Sequence, residues 1–216
     1  MPCAICQIRK PRRACPAVGG DICTTCCAEG REETIHCPRD CSYLREAHLH
    51  ESQSAPLDPA KIPNQDVEVT EEFLQRSEVF MAYIAVSLLD AAEPIPAATD
   101  WDVREAFEAL IKTYRTMEGG IYYESRPDNQ YAAAIASHIY SRIVDVQKRE
   151  TEATGGTSMS HAVVLGVLVF LQRLEYSRNN GRKRSRAFLD FLRSFYAPDG
   201  LAPAESLEPE SPRIIL

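Results

Sequence analysis

Cys3-Ala-Ile-Cys6, Cys15-Pro16, Cys23-Thr-Thr-Cys26-Cys27 and His36-Cys37-Pro-Arg-Asp-Cys41 hold all eight cysteines of a 216-residue chain. Thiols at this spacing are metal donors: a Cys-x-x-Cys knuckle turns tightly enough to bring two sulfurs to one ion, and zinc takes four N or S ligands in a tetrahedron. Disulfides are the competing use of so many cysteines in a short segment, and they belong to oxidising compartments. Met1-Pro2-Cys3 shows no basic stretch followed by an apolar run and a small-residue cleavage site. The expectation is therefore a cytoplasmic chain whose thiols stay free to bind metal.

Eight thiols divide into two sites of four. Cys3 with Cys6, Cys37 with Cys41, and Cys23 with Cys26 or Cys27 each make a half-site, and Cys15 completes the remaining half. A crossed arrangement follows, with one zinc on Cys3, Cys6, Cys23 and Cys27 and a second on Cys15, Cys26, Cys37 and Cys41, the adjacent Cys26 and Cys27 being interchangeable. Two zinc ions are expected. An iron-sulfur cluster, which also takes four thiolates, is the alternative cofactor, although the cysteine runs of the common ferredoxins are absent. His36, beside Cys37, is the spare ligand, while His48 and His50 read as solvated surface. Ile5, Ile8, Val18, Ile22 and Ile35 are too few to make a core between the ligands, so metal binding has to supply the folding energy. A short helix is expected from near Ser42, with Tyr43 and Leu44 packing back on the module.

The pattern of Cys3, Cys6, Cys15-Pro16 and Cys23 to Cys27 resembles the HIT, MYND and B-box class of cross-braced zinc fingers, over about a fifth of the chain. It departs at Ala17 to Gly20, where that class has another cysteine, and at the close, where that class usually has a histidine. The resemblance implies a small cross-braced, zinc-organised module.

The chain reads as mainly α: a cysteine-rich zinc-binding module (1–50), a linker (51–69) marked by Pro56, Pro59 and Pro63, a bundle of about five helices (70–196), and a disordered tail (197–216) rich in Pro, Ala, Ser and Glu. The linker can equally lie as a strap across the helices through Leu57, Ile62 and Val67. Thr70 caps a first helix running to Glu93-Pro94, with Phe73, Phe80, Ile84 and Leu88 at helical spacing. Thr99-x-x-Asp102 opens a second, ending at Gly119-Gly120. A third starts near Pro127, carries Ile135, Ile139 and Ile143, and ends at Lys148-Arg149. The fourth, capped by Ser158 or Ser160, is apolar all round from Ala162 to Leu171, which suits a central helix, and ends in a glycine cap at Asn179-Asn180-Gly181. The fifth spans Arg182 to Tyr196, with Phe188, Leu192 and Phe195 inward.

A net charge of −7 argues against nonspecific coating of nucleic acid. No apolar run approaches the ~20 residues that span a bilayer, so no membrane partner is expected. There is no phosphate loop, nucleophile elbow or metalloprotease histidine pair, and no enzymatic activity is expected. His138 and His161, on helical core faces, read as hydrogen-bonded core histidines. The leading expectation is an adaptor that binds a protein partner; the alternatives are a nucleic-acid-binding regulator and a thiol- or metal-based redox sensor, for which Cys26-Cys27 is the candidate. Candidate contact residues are Arg9, Lys10, Arg12 and Arg13 in the loop between half-sites, Arg182, Lys183 and Arg184 in a second basic stretch that also holds Arg178 and Arg186, and the aromatic loop Tyr122-Tyr123.

Overall fold

The computed structural model describes residues 1–51, 62–156 and 159–196. In the cysteine-rich segment, β1 (Arg13–Cys15) pairs antiparallel with β2 (Gly20–Ile22), Ala14 facing Asp21. Gly19, at φ 67°, turns between them. Two short helices follow, α1 (Thr24–Gly30) and α2 (Ser42–Glu51). Ile22, Ile35 and Leu44 are buried among the cysteines, whereas Ile5, Ile8 and Val18 are exposed. Three apolar side chains and a set of sulfurs are the whole core of this segment, as its composition implies.

The rest is a helical bundle of α3 (Glu71–Arg76), α4 (Glu78–Ala92), α5 (Asp100–Glu118), α6 (Gln130–Thr154), α7 (His161–Arg178) and α8 (Ala187–Tyr196). α7 is the central helix: Val164, Leu165, Val167, Leu168, Val169 and Leu171 are buried around its circumference, and α5, α4 and α8 pack on it. α6 closes the far side against α5 and α4. Ile84, Leu88, Phe107, Tyr114, Ile139 and Phe188 fill the common core. None of the helices in the described residues is long and apolar enough to cross a membrane.

Local chemistry explains most of the boundaries. Thr99 and Asp102 form a reciprocal capping box at the start of α5, and Ser160 caps α7. Asp100 reaches from the first turn of α5 to the start of α8, where it accepts the Ser185 hydroxyl at 2.6 Å and the Phe188 and Leu189 N–H groups at 3.0 and 3.2 Å. That long-range cap fixes where α8 begins. It begins at Ala187 rather than Arg182, because residues 182–186 leave the helix to reach the cysteine-rich segment.

Other expectations shift for comparable reasons. The helix expected from Thr70 to Glu93 is broken at Ser77, and the bend lets Phe73 of α3 fold onto Gly166 of α7. α6 starts at Gln130 behind its Asn129 cap and runs past Lys148-Arg149 to Thr154, where Gly155 takes a left-handed conformation. α7 ends at Asn179 in an extended conformation, and the left-handed glycine, Gly181, comes two residues later. Phe195 faces solvent at 69% exposure, not the core. Val67 and Val69 lie against the core, and the strap is pinned by Arg173, which donates to the carbonyls of Pro63, Asn64 and Val67, and by Arg115, which grips Asp66 at 2.6 and 2.9 Å. Leu57 and the tail 197–216 lie outside the described residues.

Gly166 carries a sign test of this packing. A Cβ there would sit 2.6 Å from Phe73 Cζ. Alanine favours a helix over glycine by about 1 kcal/mol, but overpacking costs about 1–3 kcal/mol. Gly166→Ala is expected to destabilise the protein by about 1 kcal/mol alone and to stabilise it by about 1 kcal/mol in a Phe73→Ala background. Urea denaturation of the four proteins of this cycle checks the reversal.

Candidate metal centre

The first knuckle is built by the backbone. Gln7 takes φ 55° directly after Cys6, which turns the chain so that the Cys3 N–H donates to the Arg9 carbonyl at 2.9 Å and the Gln7 N–H to the Cys3 carbonyl at 2.8 Å. Ala4 is tied to the hairpin through the Asp21 carbonyl at 2.9 Å. The second knuckle is a helix start. Cys23 is the N-cap of α1, and its sulfur accepts the Cys26 N–H at 3.4 Å. The knuckles meet where the Cys23 N–H donates to Cys3 Sγ at 3.2 Å.

The Sγ atoms of Cys3, Cys6, Cys23 and Cys26 consequently lie within 4.8 Å of one another, positioned to hold a metal ion, and no cysteine is in a disulfide. Cys26, rather than Cys27, completes this group. Successive side chains on a helix point about 100° apart, so with Cys26 facing the cap residue, Cys27 is turned away from the group onto an adjacent face of α1. There Arg13 Nη1 donates to its sulfur at 3.3 Å. Among the described residues no second group of three or more metal-type donors is drawn together as tightly. Cys37, Cys41 and Cys15 lie close enough that the charges of the other two raise the Cys37 thiol, although burial is the larger cause of that rise.

The four sulfurs share an electrostatic problem. Burial disfavours the Cys3 thiolate, yet the backbone N–H groups of Cys6, Cys23 and Ile5 outweigh it and hold Cys3 down at about 6. The N–H groups of Arg9 and Ile8 likewise lower Cys6. Cys26 is pushed up to about 12, first by its hydrogen bond with Cys23 and then by burial. Thiolates this close cannot all ionise without a cation to offset their charge, the condition a metal ion held by the four would meet. The Arg9 guanidinium hydrogen-bonds Cys23, which raises its own pKa.

Arg9 and Arg13 thus lie beside sulfur, Arg9 while remaining exposed, and Lys10 and Arg12 are exposed. Arg182 and Arg184, offered by sequence as a contact surface, turn inward. Arg182 Nη1 donates to the carbonyls of Ala28 and Arg31 at 3.1 and 2.7 Å, and Arg184 Nη1 to that of Glu33 at 2.9 Å. The Lys183 side chain is exposed, although its backbone N–H meets Glu33. Tyr122 and Tyr123 are each 65% exposed beside Ile121. His36 is exposed. His161 is exposed edge-on to Tyr114, and His138 Nε2 is buried without a partner, so neither is the hydrogen-bonded core histidine expected.

The residues that seat the module on the bundle were not singled out in the sequence. Glu32 is 1% exposed and His48 6% exposed. His48 Nε2 meets Glu32 at 2.9 Å and Nδ1 meets Asp190 of α8 at 2.8 Å, so His48 is an interior bridge and not the solvated histidine expected. Leu44, Ala47 and His48 are the buried residues of α2, and their helical spacing was the available signal. Glu32 also accepts from Asn180 Nδ2 at 2.8 Å and from the Arg186 N–H at 2.9 Å. On the other flank, Arg39 donates to the carbonyls of Ala92, Glu93 and Ile95 at 2.8 to 3.2 Å, serving the C-terminal end of α4, whose last turn has no basic residue of its own.

Burial disfavours the charged form of His48, but the hydrogen bonds to Asp190 and Glu32 prevail and raise it to about 9. A histidine whose folded pKa lies above its unfolded value stabilises fully below the unfolded value, and that contribution fades as pH rises through the folded one. The bridge is therefore complete below pH 6.5 and lost as pH passes about 9. Wild-type protein is expected to lose on the order of 3 kcal/mol between those limits relative to His48→Gln, measured by denaturant titration at both ends. Compared with known proteins, the chain matches no family model, and neither a curated protein nor a solved structure is significantly similar to it.

Proposed function

We propose that the chain is a zinc-binding, non-enzymatic interaction protein in which the metal-organised segment and the helical bundle together present a surface to a protein partner. The observation that carries the metal half is the group of four sulfurs within 4.8 Å of one another. A tetrahedral ion with metal–sulfur distances of about 2.3 Å has sulfur–sulfur edges of about 3.8 Å, which suits a single ion; a cluster interposes several irons and sulfides and spreads its ligands more widely. Cys15, Cys27, Cys37 and Cys41 hold the second zinc, with Arg13 beside Cys27 offsetting thiolate charge as Arg9 does at the first.

The interaction half rests on the loop between α5 and α6. Ile121, Tyr122 and Tyr123 are 65 to 68% exposed, but the loop is tied down: the Tyr123 carbonyl accepts from Thr116 Oγ at 3.2 Å and the Ser125 N–H donates to Thr113 Oγ at 2.9 Å. A patch of large side chains on a pre-ordered backbone loses little entropy on docking and has the composition of an interface anchor. The nucleic-acid reading is weaker, because Arg9, Arg13, Arg182 and Arg184 already have partners within the chain.

Elemental analysis of purified protein is expected to give two zinc ions per chain, and one after either Cys26→Ser or Cys27→Ser, each substitution emptying a different site. Iron with acid-labile sulfide, or disulfides with no metal, would overturn the zinc reading. Affinity capture from native cells is expected to lose its specific protein partner on Tyr122→Ala with Tyr123→Ala and to keep it on Lys10→Ala with Arg12→Ala; the reverse pattern, with a steep salt dependence, makes nucleic acid the partner.

A further inference from the structure

Where the cysteine-rich segment meets the bundle there is a half-open cavity of about 340 Å³, lined among others by His36, Thr99, Asn129, Gln130, Arg184 and Arg186. Arg186 is only 7% exposed, and its Nε is buried with no hydrogen-bond partner. A buried guanidinium with an idle donor is costly unless something accepts from it. Its backbone N–H donates to the Glu32 carboxylate at 2.9 Å, which anchors the residue at the cavity wall.

The surroundings favour an anion. Arg184 keeps donors beyond the one given to the Glu33 carbonyl. Gln130 opens α6, a helix of 25 residues whose first turn carries no acidic side chain; the neutral Asn129 cap takes the Tyr131 N–H at 2.9 Å and leaves the positive end of the dipole without a countercharge in that turn. The one carboxylate on the wall, Asp102, is already saturated: it accepts the Thr99 N–H and hydroxyl, each at 2.7 Å, and the Asn129 side-chain amide at 2.5 Å. Two guanidiniums therefore face one satisfied carboxylate, leaving a positive cavity.

We propose that this cavity is a binding site for the phosphate group of a small phosphate monoester, held by Arg186 and Arg184 at the amino end of α6. Tetrahedral oxygens can accept from guanidinium forks and helix N–H groups arriving from different directions. The volume is at the small end of the range for ligand pockets, enough for a phosphate with a compact organic group. This site is independent of the metal and of the aromatic loop, so its fate does not decide theirs.

The test uses zinc-loaded full-length protein and isothermal titration with phenyl phosphate and with inorganic phosphate, against chloride and acetate at equal ionic strength. Saturable one-to-one binding of the phosphates is expected, with chloride and acetate inert. Gln130→Glu places a carboxylate at the cavity mouth, at an exposed position where the helix dipole favours it, so the fold is expected to persist while phosphate affinity falls at least tenfold. Arg186→Gln is expected to lose binding as well. Binding of inorganic phosphate alone would reassign the site to the free ion and overturn the monoester. No saturable binding, or binding unchanged in Gln130→Glu, would overturn the site.

Discussion

Glu32 is the residue on which the joining of the two halves depends. It is a non-glycine residue at φ 55°, a region that costs energy without structural compensation, and its carboxylate is almost wholly withdrawn from water. Both penalties are offset by the same set of partners. His48, Asn180 and the Arg186 N–H converge on the carboxylate, and its own carbonyl accepts the Arg184 N–H at 2.9 Å. Removing one partner would leave a buried charge incompletely satisfied, which is why such a hub is stable only when whole.

Around that hub each half completes the other's unfinished helix ends. Arg39 of the cysteine-rich segment serves the last carbonyls of α4, and Arg182 returns the favour at the carbonyls of Ala28 and Arg31. The arrangement uses arginines as caps, where a planar fork of donors can bridge several carbonyls at once. It also explains why several arginines of the two basic stretches are engaged in contacts within the chain.

The helical class of the chain, its central α7 and the caps at Thr70, Thr99 and Ser160 were legible because they depend on local spacing and local hydrogen bonds. The membership of Cys26 in the first group was not, since a Cys-Cys pair offers two equivalent choices until helix phase is known. Glu32, His48 and Asp190 escaped for a different reason: helical spacing could place His48 on the buried face of α2, but its pairing with Asp190 and that of Glu32 with Asn180 join residues more than a hundred positions apart, which no short-range pattern marks. The ends of α6 and α8 moved because Asn129, Gly155 and Asp100 settle them, two by local conformation and one from another helix.

The distance in sequence between the partners at Glu32 bears on how the protein is made. Glu32 emerges early, yet Asn180 and Arg186 follow it by 148 and 154 residues. At synthesis rates of roughly 5–20 residues per second, the interval is roughly 7–30 s. For that time the cysteine-rich segment has only its own contacts to hold it, the hairpin, the small core around its sulfurs and the Glu32–His48 pair, with its central carboxylate still lacking two of its partners. The segment is thus asked to be self-sufficient once, during birth, and only later becomes one side of a shared interior.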